Sequence, residues 1–233
     1  MALPRAPLSP IVAGEQALSR ELGGYLVRVL RLRAGDRFVV FDPDAGIEAE
    51  AVLVRDVPAL ARVEAPRAVT PVGGRAVTLL QGLAKGDKPE QVLRAAVALG
   101  ARRVVFARTE RSVGGAELRG ERLRAVMLDA ARQCGRGDLP LLVGLVDLEA
   151  AVALGDGRRF ALEPGAPRSL VAALREEGAS DALTVAVGPE GGFAPAESAL
   201  LQRAGFEAVR LAAHVLRTEL AAVAALAVIA AHE

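Results

Sequence analysis

Two short stretches hold most of the residues able to do chemistry: Gly188-Pro189-Glu190-Gly191-Gly192 and, about 25 residues on, Val215-Leu216-Arg217-Thr218-Glu219. In the first, Gly191 and Gly192 permit positive φ and a close approach of backbone to a ligand. Pro189 fixes its own φ and restricts Gly188. Glu190 is the sole ionisable side chain of the turn, a candidate base or equally a carboxylate that holds the loop through backbone hydrogen bonds. In the second, Arg217 and Glu219 stand at the mouth of a final helix. Arg217 suits the orienting of a substrate, or an ion pair with Glu190 or Glu219. A buried strand over 183–187 feeds the first stretch and one over 207–211 the second. Ligands of open α/β sheets sit outside the carboxyl ends of strands, so the two loops read as walls of one small-molecule site, with an ordinary strand–helix turn as the plain alternative. The first loop is not a P-loop, since no Gly-Lys-Ser/Thr follows, nor does its spacing match the G-x-G-x-x-G dinucleotide fingerprint.

Other chemistry-bearing residues are few. One Cys and two His among 233 residues argue against a disulfide framework and a dedicated zinc site, so no metal is expected. Cys134 reads as packing, His214 as a surface residue beside the second loop, and Ser198 as a helix residue outside any triad. The cysteine count fits a reducing compartment, and the first ten residues lack the apolar core of a signal peptide. The most apolar run, 220–231, is shorter than the roughly 20 residues that span a bilayer. A soluble cytoplasmic protein without a membrane partner is the expectation. Net charge is only +1, but residues 85–136 carry twelve basic and six acidic groups, and residues 137–233 seven and thirteen. Such a basic block can face phosphate, or be a solvated helix face. Seven aromatics in the whole chain leave an aliphatic core of Ala, Val and Leu.

The elements that position these residues fall into two groups. Residues 1–10 are irregular. Residues 15–32 predict a short helical region with Leu22, Leu26, Val29 and Leu30 on its apolar face. Short strands are predicted over 37–41, 47–54 and 60–65, with a hairpin loop at 42–46. Together they suggest a small β-barrel, and 64–75, rich in Pro, Gly and Arg, reads as a linker. Beyond it strand and helix alternate. Strands are predicted over 76–83, 103–107, 141–146, 160–162, 183–187 and 207–211. A helix opens at Asp87 and ends at Gly100, and others cover 117–134, 148–154, 168–177, 195–204 and 219–231, with a loop at 108–115. This alternation predicts a mostly parallel sheet. The last helix shows no polar face before His232, so more than its own sheet must cover it. Contact with a second subunit does so, as does burial within one chain.

GPEGGF followed by VLRTE resembles the signature of the RsmE family, 16S ribosomal RNA (uracil-N3) methyltransferases of the SPOUT class, whose pattern reads GPEGGF…LG..ILRTETA. Ala212 and Leu220 depart from it, replacing a glycine and a threonine. YLVRVLRLRAGD, KGDKPEQVLRAAVALGA, RTERS and DAARQCGRGDLP resemble further family motifs in the same order, with Tyr25 and Ala98 in place of the usual His and Glu. The resemblance implies a PUA-like RNA-binding β-barrel domain over 1–72 and a SPOUT methyltransferase domain over 73–233, α/β with a mostly parallel sheet and a C-terminal trefoil knot. It implies S-adenosyl-L-methionine as cofactor, held by Gly188, Pro189, Glu190, Gly191, Gly192, Leu211, Val215, Leu216 and Arg217. It further implies catalysis by Arg217, Glu190 and Glu219, and RNA contacts from Arg5, Arg28, Arg111, Arg132 and Arg136. The implied partners are 16S ribosomal RNA or the small ribosomal subunit and a second copy of the chain, in a homodimer. The implied activity is methylation of N3 of a uridine of the decoding centre. Two readings compete: a non-catalytic RNA-binding assembly factor, and a small-molecule α/β enzyme with a chance glycine loop. Intact GPEGG and LRTE argue against the first, the basic block and N-terminal strands against the second.

Overall fold

The structure, a computed structural model, describes residues 3–70, 74–112, 118–176 and 181–232. The expected helix start at Glu117, the helix end at Glu177, the end of the 108–115 loop and the 72/73 boundary lie outside the described residues. The chain divides into two units, Met1–Gly73 with Leu128–Leu139, and Gly74–Met127 with Pro140–Glu233.

The first unit contains β1 (Arg5–Pro7), β2 (Gly14–Ala17), β3 (Arg37–Asp42), β4 (Ile47–Asp56), β5 (Ala59–Val63) and β6 (Arg67–Ala68). They form one sheet in the order β1-β3-β4-β5-β2, with β6 on β4. Only β1 and β3 run parallel. On β4 the buried residues alternate as Ala49, Ala51 and Leu53, the period-two pattern of a strand with one face inward. They meet Leu26, Phe38, Val40 and Ala61 in a hydrophobic core.

Residues 14–17 are not the start of a helix. They pair with β5, Glu15 opposite Arg62, and the two side chains form an ion pair at 3.3 Å. Strand pairing here overrides the local helical pattern. Helix begins only at α1 (Arg20–Gly24), where the Ser19 hydroxyl accepts the Leu22 N–H at 3.1 Å, and continues as a π-helical turn over Tyr25–Val29. Leu26 is buried as expected, but Val29 is 65% exposed. The expected linker also holds a strand, β6.

The second unit alternates throughout: β7 (Ala76–Gly82), α2 (Lys88–Ala98), β8 (Arg103–Arg108), α3 (Gly120–Cys134, its end in the first unit), β9 (Leu141–Asp147), α4 (Leu148–Ala153), β10 (Arg158–Leu162), α5 (Leu170–Arg175), β11 (Ala182–Val187), α6 (Pro195–Arg203), β12 (Glu207–Val209) and α7 (Thr218–Ala230). The sheet order is β12-β10-β11-β7-β8-β9, every pair parallel. Leu183 to Val187 are all buried, as a strand covered on both faces requires. The chain builds β7, β8 and β9 outward, crosses to β10, then lays β11 between β10 and β7. Ligands of such sheets bind at the reversal, outside the carboxyl ends.

Three arginines of the first unit, Arg5, Arg132 and Arg136, are at least partly buried. Arg136 is buried, its Nε and Nη2 each donating to Asp138 at 2.8 Å. Arg132 pairs with Asp129 at 2.9 Å and lies 4.4 Å from the centre of the Tyr25 ring. Glu48 takes Arg5 at 2.6 Å and Arg67 at 3.0 Å. Burial alone would raise the Glu48 carboxyl, but the hydrogen bonds and charges of the two arginines outweigh it and hold it below its ordinary 4.5. A carboxyl whose pKa is lower folded than unfolded stabilises the protein above the unfolded value and loses that contribution as pH falls through the folded one. Glu48→Gln is therefore expected to cost roughly 1–3 kcal/mol at neutral pH and nothing well below 4.5. Urea unfolding at the two extremes checks this; an equal loss at both would remove the ionised pair as the cause.

Candidate active site

A cavity of about 400 Å³ opens at the carboxyl ends of β10, β11 and β12, within the roughly 300–1,000 Å³ of small-molecule sites. Its walls are three strand-end loops. Leu162 ends β10 and Glu163, Pro164 and Gly165 follow it, while Val187 ends β11 and Gly188 to Phe193 follow it. Leu211, Ala212, His214, Val215 and Leu216 follow β12, and Thr218 and Ala221 come from the start of α7. The two loops expected to share a site line this one cavity, and the Glu163 wall is an addition.

The glycine loop is shaped by two of its glycines in different ways. Gly192 has φ +69°, and its N–H donates to the Pro189 carbonyl at 2.9 Å, so it closes the tight turn whose centre is Glu190-Gly191. A Cβ on Gly188 would lie 3.0 Å from the backbone of Gly192 and Phe193, which cross it closely. Gly191, which would also permit positive φ, does not adopt it. A side chain there would instead press on Arg111, at 3.1–3.2 Å from its Cδ and Cβ. Arg111 itself donates to the carbonyls of Gly191 at 2.8 Å and Phe193 at 3.4 Å. An arginine expected to touch RNA thus braces the loop.

A buried network joins this loop to two other segments. The Thr218 hydroxyl donates to the Gly188 carbonyl at 2.6 Å and accepts from Gln81 Nε2 at 2.8 Å. Gln81 Nε2 also donates to the Gly82 carbonyl at 2.9 Å. Gln81 and Thr218 are both buried. Gly82 matters for space, since a Cβ there would come within 2.6 Å of Pro189 Cδ. Sequence reasoning assigned none of these three a role. One signal was present: Gln81 and Thr78 are the two polar residues of a strand whose other side chains are apolar, and buried polar groups have partners.

Glu190 is held by the Lys88 ammonium at 2.5 Å and the Lys85 N–H at 3.1 Å. Burial would raise its pKa, yet these hydrogen bonds and the Lys88 charge bring it below the ordinary 4.5. Of the two readings of Glu190, the geometry matches the loop-holding one. Arg217 is the exposed cap residue of α7. It makes no ion pair with Glu190 or Glu219 among the described residues. Glu219 lies in the first turn of α7 with Oε2 buried and without a hydrogen-bond partner. Neither Arg217 nor Glu219 lines the cavity, but they flank Thr218, which does. Of the arginines expected at RNA, Arg28 is exposed, whereas Arg5, Arg132 and Arg136 are engaged by carboxylates. Among the described residues, no cluster of His, Cys, Asp and Glu could hold a metal, and no helix is long and apolar enough to cross a membrane.

Comparison with known proteins bears on this site. Residues 73–230 match the family model of an RNA methyltransferase domain, and residues 18–56 that of an RNA methyltransferase PUA domain. The ribosomal RNA small subunit methyltransferase E of Mycobacterium bovis is 34% identical over 218 residues, covering 88% of this chain and 81% of that protein. Its namesake from Synechocystis is 29% identical, covering 87% and 68%. Among solved structures, a Legionella pneumophila methyltransferase in complex with the cofactor SAM aligns with a TM-score of 0.85 at 26% identity, over 99% of this chain and 98% of that one. The Neisseria gonorrhoeae ribosomal RNA small subunit methyltransferase E bound to S-adenosyl methionine aligns with 0.81 at 26%, over 97% and 95%. With an N-terminal PUA-like unit followed by a mostly parallel methyltransferase sheet, the chain belongs to the ribosomal RNA small subunit methyltransferase E family.

Proposed function

We propose that this chain transfers a methyl group from S-adenosyl-L-methionine to N3 of a uridine of 16S ribosomal RNA at the decoding centre, and does so as a homodimer. The observation that carries the reading is the cavity at the ends of β10, β11 and β12. Its glycine backbone lies open to a ligand, and its far wall is the aliphatic Leu211, Val215 and Leu216. Backbone groups for polar edges and aliphatic contact for flat rings fit an adenosyl group. The bound cofactor supplies an electrophilic methyl group.

The chain's own part is to bind, orient and stabilise charge. Arg217, exposed beside the cavity, suits the uracil carbonyls, where its cation favours the N3 anion. Glu190, latched by Lys88 and with a lowered pKa, is a weak base and serves as a brace. The negative charge of Glu219 complements the positive end of α7. Residues 73–233 carry this chemistry and residues 1–72 bind RNA. Arg28 is the phosphate contact kept from the expected set. Arg20 and Arg31, equally exposed and without partners among the described residues, join it. What supports the dimer is α7. Ala222, Ala225, Leu226 and Ile229 are buried, while Leu220 is 50% exposed and Val223, Ala224, Ala227 and Val228 are only half-buried. The second set forms an apolar stripe at helical spacing that its own chain leaves open. The knotted threading implied by the resemblance is part of the same reading, supported by β11 entering between β10 and β7.

Incubation with labelled S-adenosylmethionine and small ribosomal subunits from cells lacking this gene is expected to yield N3-methyluridine in digests of the 16S RNA, read by mass spectrometry. Absence of label from the RNA would overturn the function, and cofactor binding without transfer would favour the assembly-factor reading. Charge reversal at Arg28 and Arg31 is expected to weaken RNA binding and to lower the slope of log affinity against log salt by about one per lost phosphate contact. An unchanged slope would move the RNA surface elsewhere. Ala224→Glu with Val228→Glu is expected to give a folded monomer that no longer methylates RNA. Sedimentation of the unsubstituted protein as a fully active monomer would exclude the dimer.

A further inference from the structure

Three ionisable side chains line the cavity: Glu163, Glu190 and His214. The charge of Glu190 is matched by Lys88 at 2.5 Å. Glu163 differs. Its main chain is fixed, the N–H donating to the Val209 carbonyl at 2.9 Å and the carbonyl accepting from Ala166 at 3.1 Å. Its side chain is half-buried and has no hydrogen bond or ion pair with any described residue. The neighbouring arginines are committed elsewhere. Arg168 is held by Glu207 at 2.6 Å and Glu176 at 2.5 Å, and Arg210 donates to the carbonyls of Ala166 and Pro167. The cavity therefore carries one unmatched negative charge, on the wall formed by β10. A partly desolvated carboxylate without a partner is costly on its own and favours a cationic ligand, the more so inside a cleft.

Resting on the reading of this cavity as the S-adenosylmethionine site, we propose that Glu163 is a specificity-determining residue: its carboxylate makes the site prefer the cationic methyl donor over the neutral product. The donor carries a sulfonium, an ammonium and a carboxylate, net +1. Transfer of the methyl group turns the sulfonium into a thioether, so S-adenosylhomocysteine has the same adenine, ribose and amino-acid tail but a net charge of zero. Hydrogen bonds from Glu163 to the shared parts would serve both ligands alike. Only its Coulomb attraction to the sulfonium separates them. Glu163 thus favours replacement of the bound product by fresh donor after each turnover.

The test is calorimetric titration of the unsubstituted protein, Glu163→Gln and Glu163→Asp with three ligands. They are S-adenosylmethionine, S-adenosylhomocysteine, and an adenosyl analogue bearing an amine in place of the sulfonium. Glu163→Gln keeps the side chain's size, and thermal unfolding checks that the variant is folded. Its dissociation constants for the two net-cationic ligands are expected to rise about tenfold, while that for S-adenosylhomocysteine changes less than about twofold. Glu163→Asp should keep most of the preference, and added salt should erode it in the unsubstituted protein. Equal weakening of donor and product in Glu163→Gln, or no weakening of either, overturns the inference while leaving the cofactor site intact. Failure of the unsubstituted protein to bind any of the three overturns the site reading and this inference together.

Discussion

The Thr218 hydroxyl is where three chain segments meet. It donates to the carbonyl of Gly188 after β11, accepts from Gln81 at the end of β7, and itself opens α7. All of this is buried, so these groups are satisfied from within, save Gln81 Oε1, which has no hydrogen-bond partner among the described residues. An apolar residue of the same shape would strand the Gly188 carbonyl at a cost of about 1–3 kcal/mol. The arrangement also orients the Gln81 amide. With Nε2 between the Thr218 oxygen and the Gly82 carbonyl, a reversed amide would set oxygen against a carbonyl that donates nothing. A glycine-rich loop is useful because its backbone can approach a ligand, and it is entropically expensive to order for the same reason. Here the order comes from outside the loop. Thr218 holds Gly188, Lys88 and the Lys85 N–H hold Glu190, and Arg111 holds Gly191.

The use of arginine follows a related logic. A planar guanidinium can satisfy carbonyls and carboxylates in a fixed fork, which an ammonium cannot. Arg103 donates to the Leu154 carbonyl and pairs with Asp156, and Arg159 bridges the carbonyls of Ala204 and Gly155. These arginines close helix ends and strand starts rather than reach toward a partner. Counting basic residues over 85–136 therefore overstated the free charge of that block. Arg132 and Arg136 are neutralised by Asp129 and Asp138, the last of which falls just outside it.

The alternation of strand and helix from residue 76 onward was legible because each element has its own period and its own stop, such as Gly100 at φ +77° after α2 and Gly205 at φ +82° after α6. The glycine loop and the Val215–Leu216 wall were legible for the same reason, being local chemistry at strand ends. What escaped was non-local. Residues 14–17 join a sheet through a partner 47 positions away, as the Glu15–Arg62 pair records. Arg5 was expected at RNA from a stretch read as irregular, yet β1 pairs with β3 and carries it to Glu48. Glu163 lay in a stretch with no motif, and only the packing of β10 against β11 and β12 brings it to the cavity.

Strand order explains one further constraint that no ligand argument would supply. Because β11 is laid directly beside β7, their parallel carboxyl ends lie side by side, Val187 opposite Gln81, at the roughly 4.8 Å spacing of neighbouring strands. Both chains must leave the sheet there, one into the Lys85–Lys88 turn and the other into the glycine loop. Pro189 occupies the space between them, and a Cβ on Gly82 would meet its ring at 2.6 Å and its nitrogen at 2.7 Å. The missing side chain at Gly82 and the rigid ring at Pro189 are therefore one feature of the fold. It holds the two exits close enough for Lys88 to reach Glu190 and for Gln81 to reach Thr218. The residues that hold the site are thus selected first by where β11 enters the sheet, and only then by the chemistry the cavity serves.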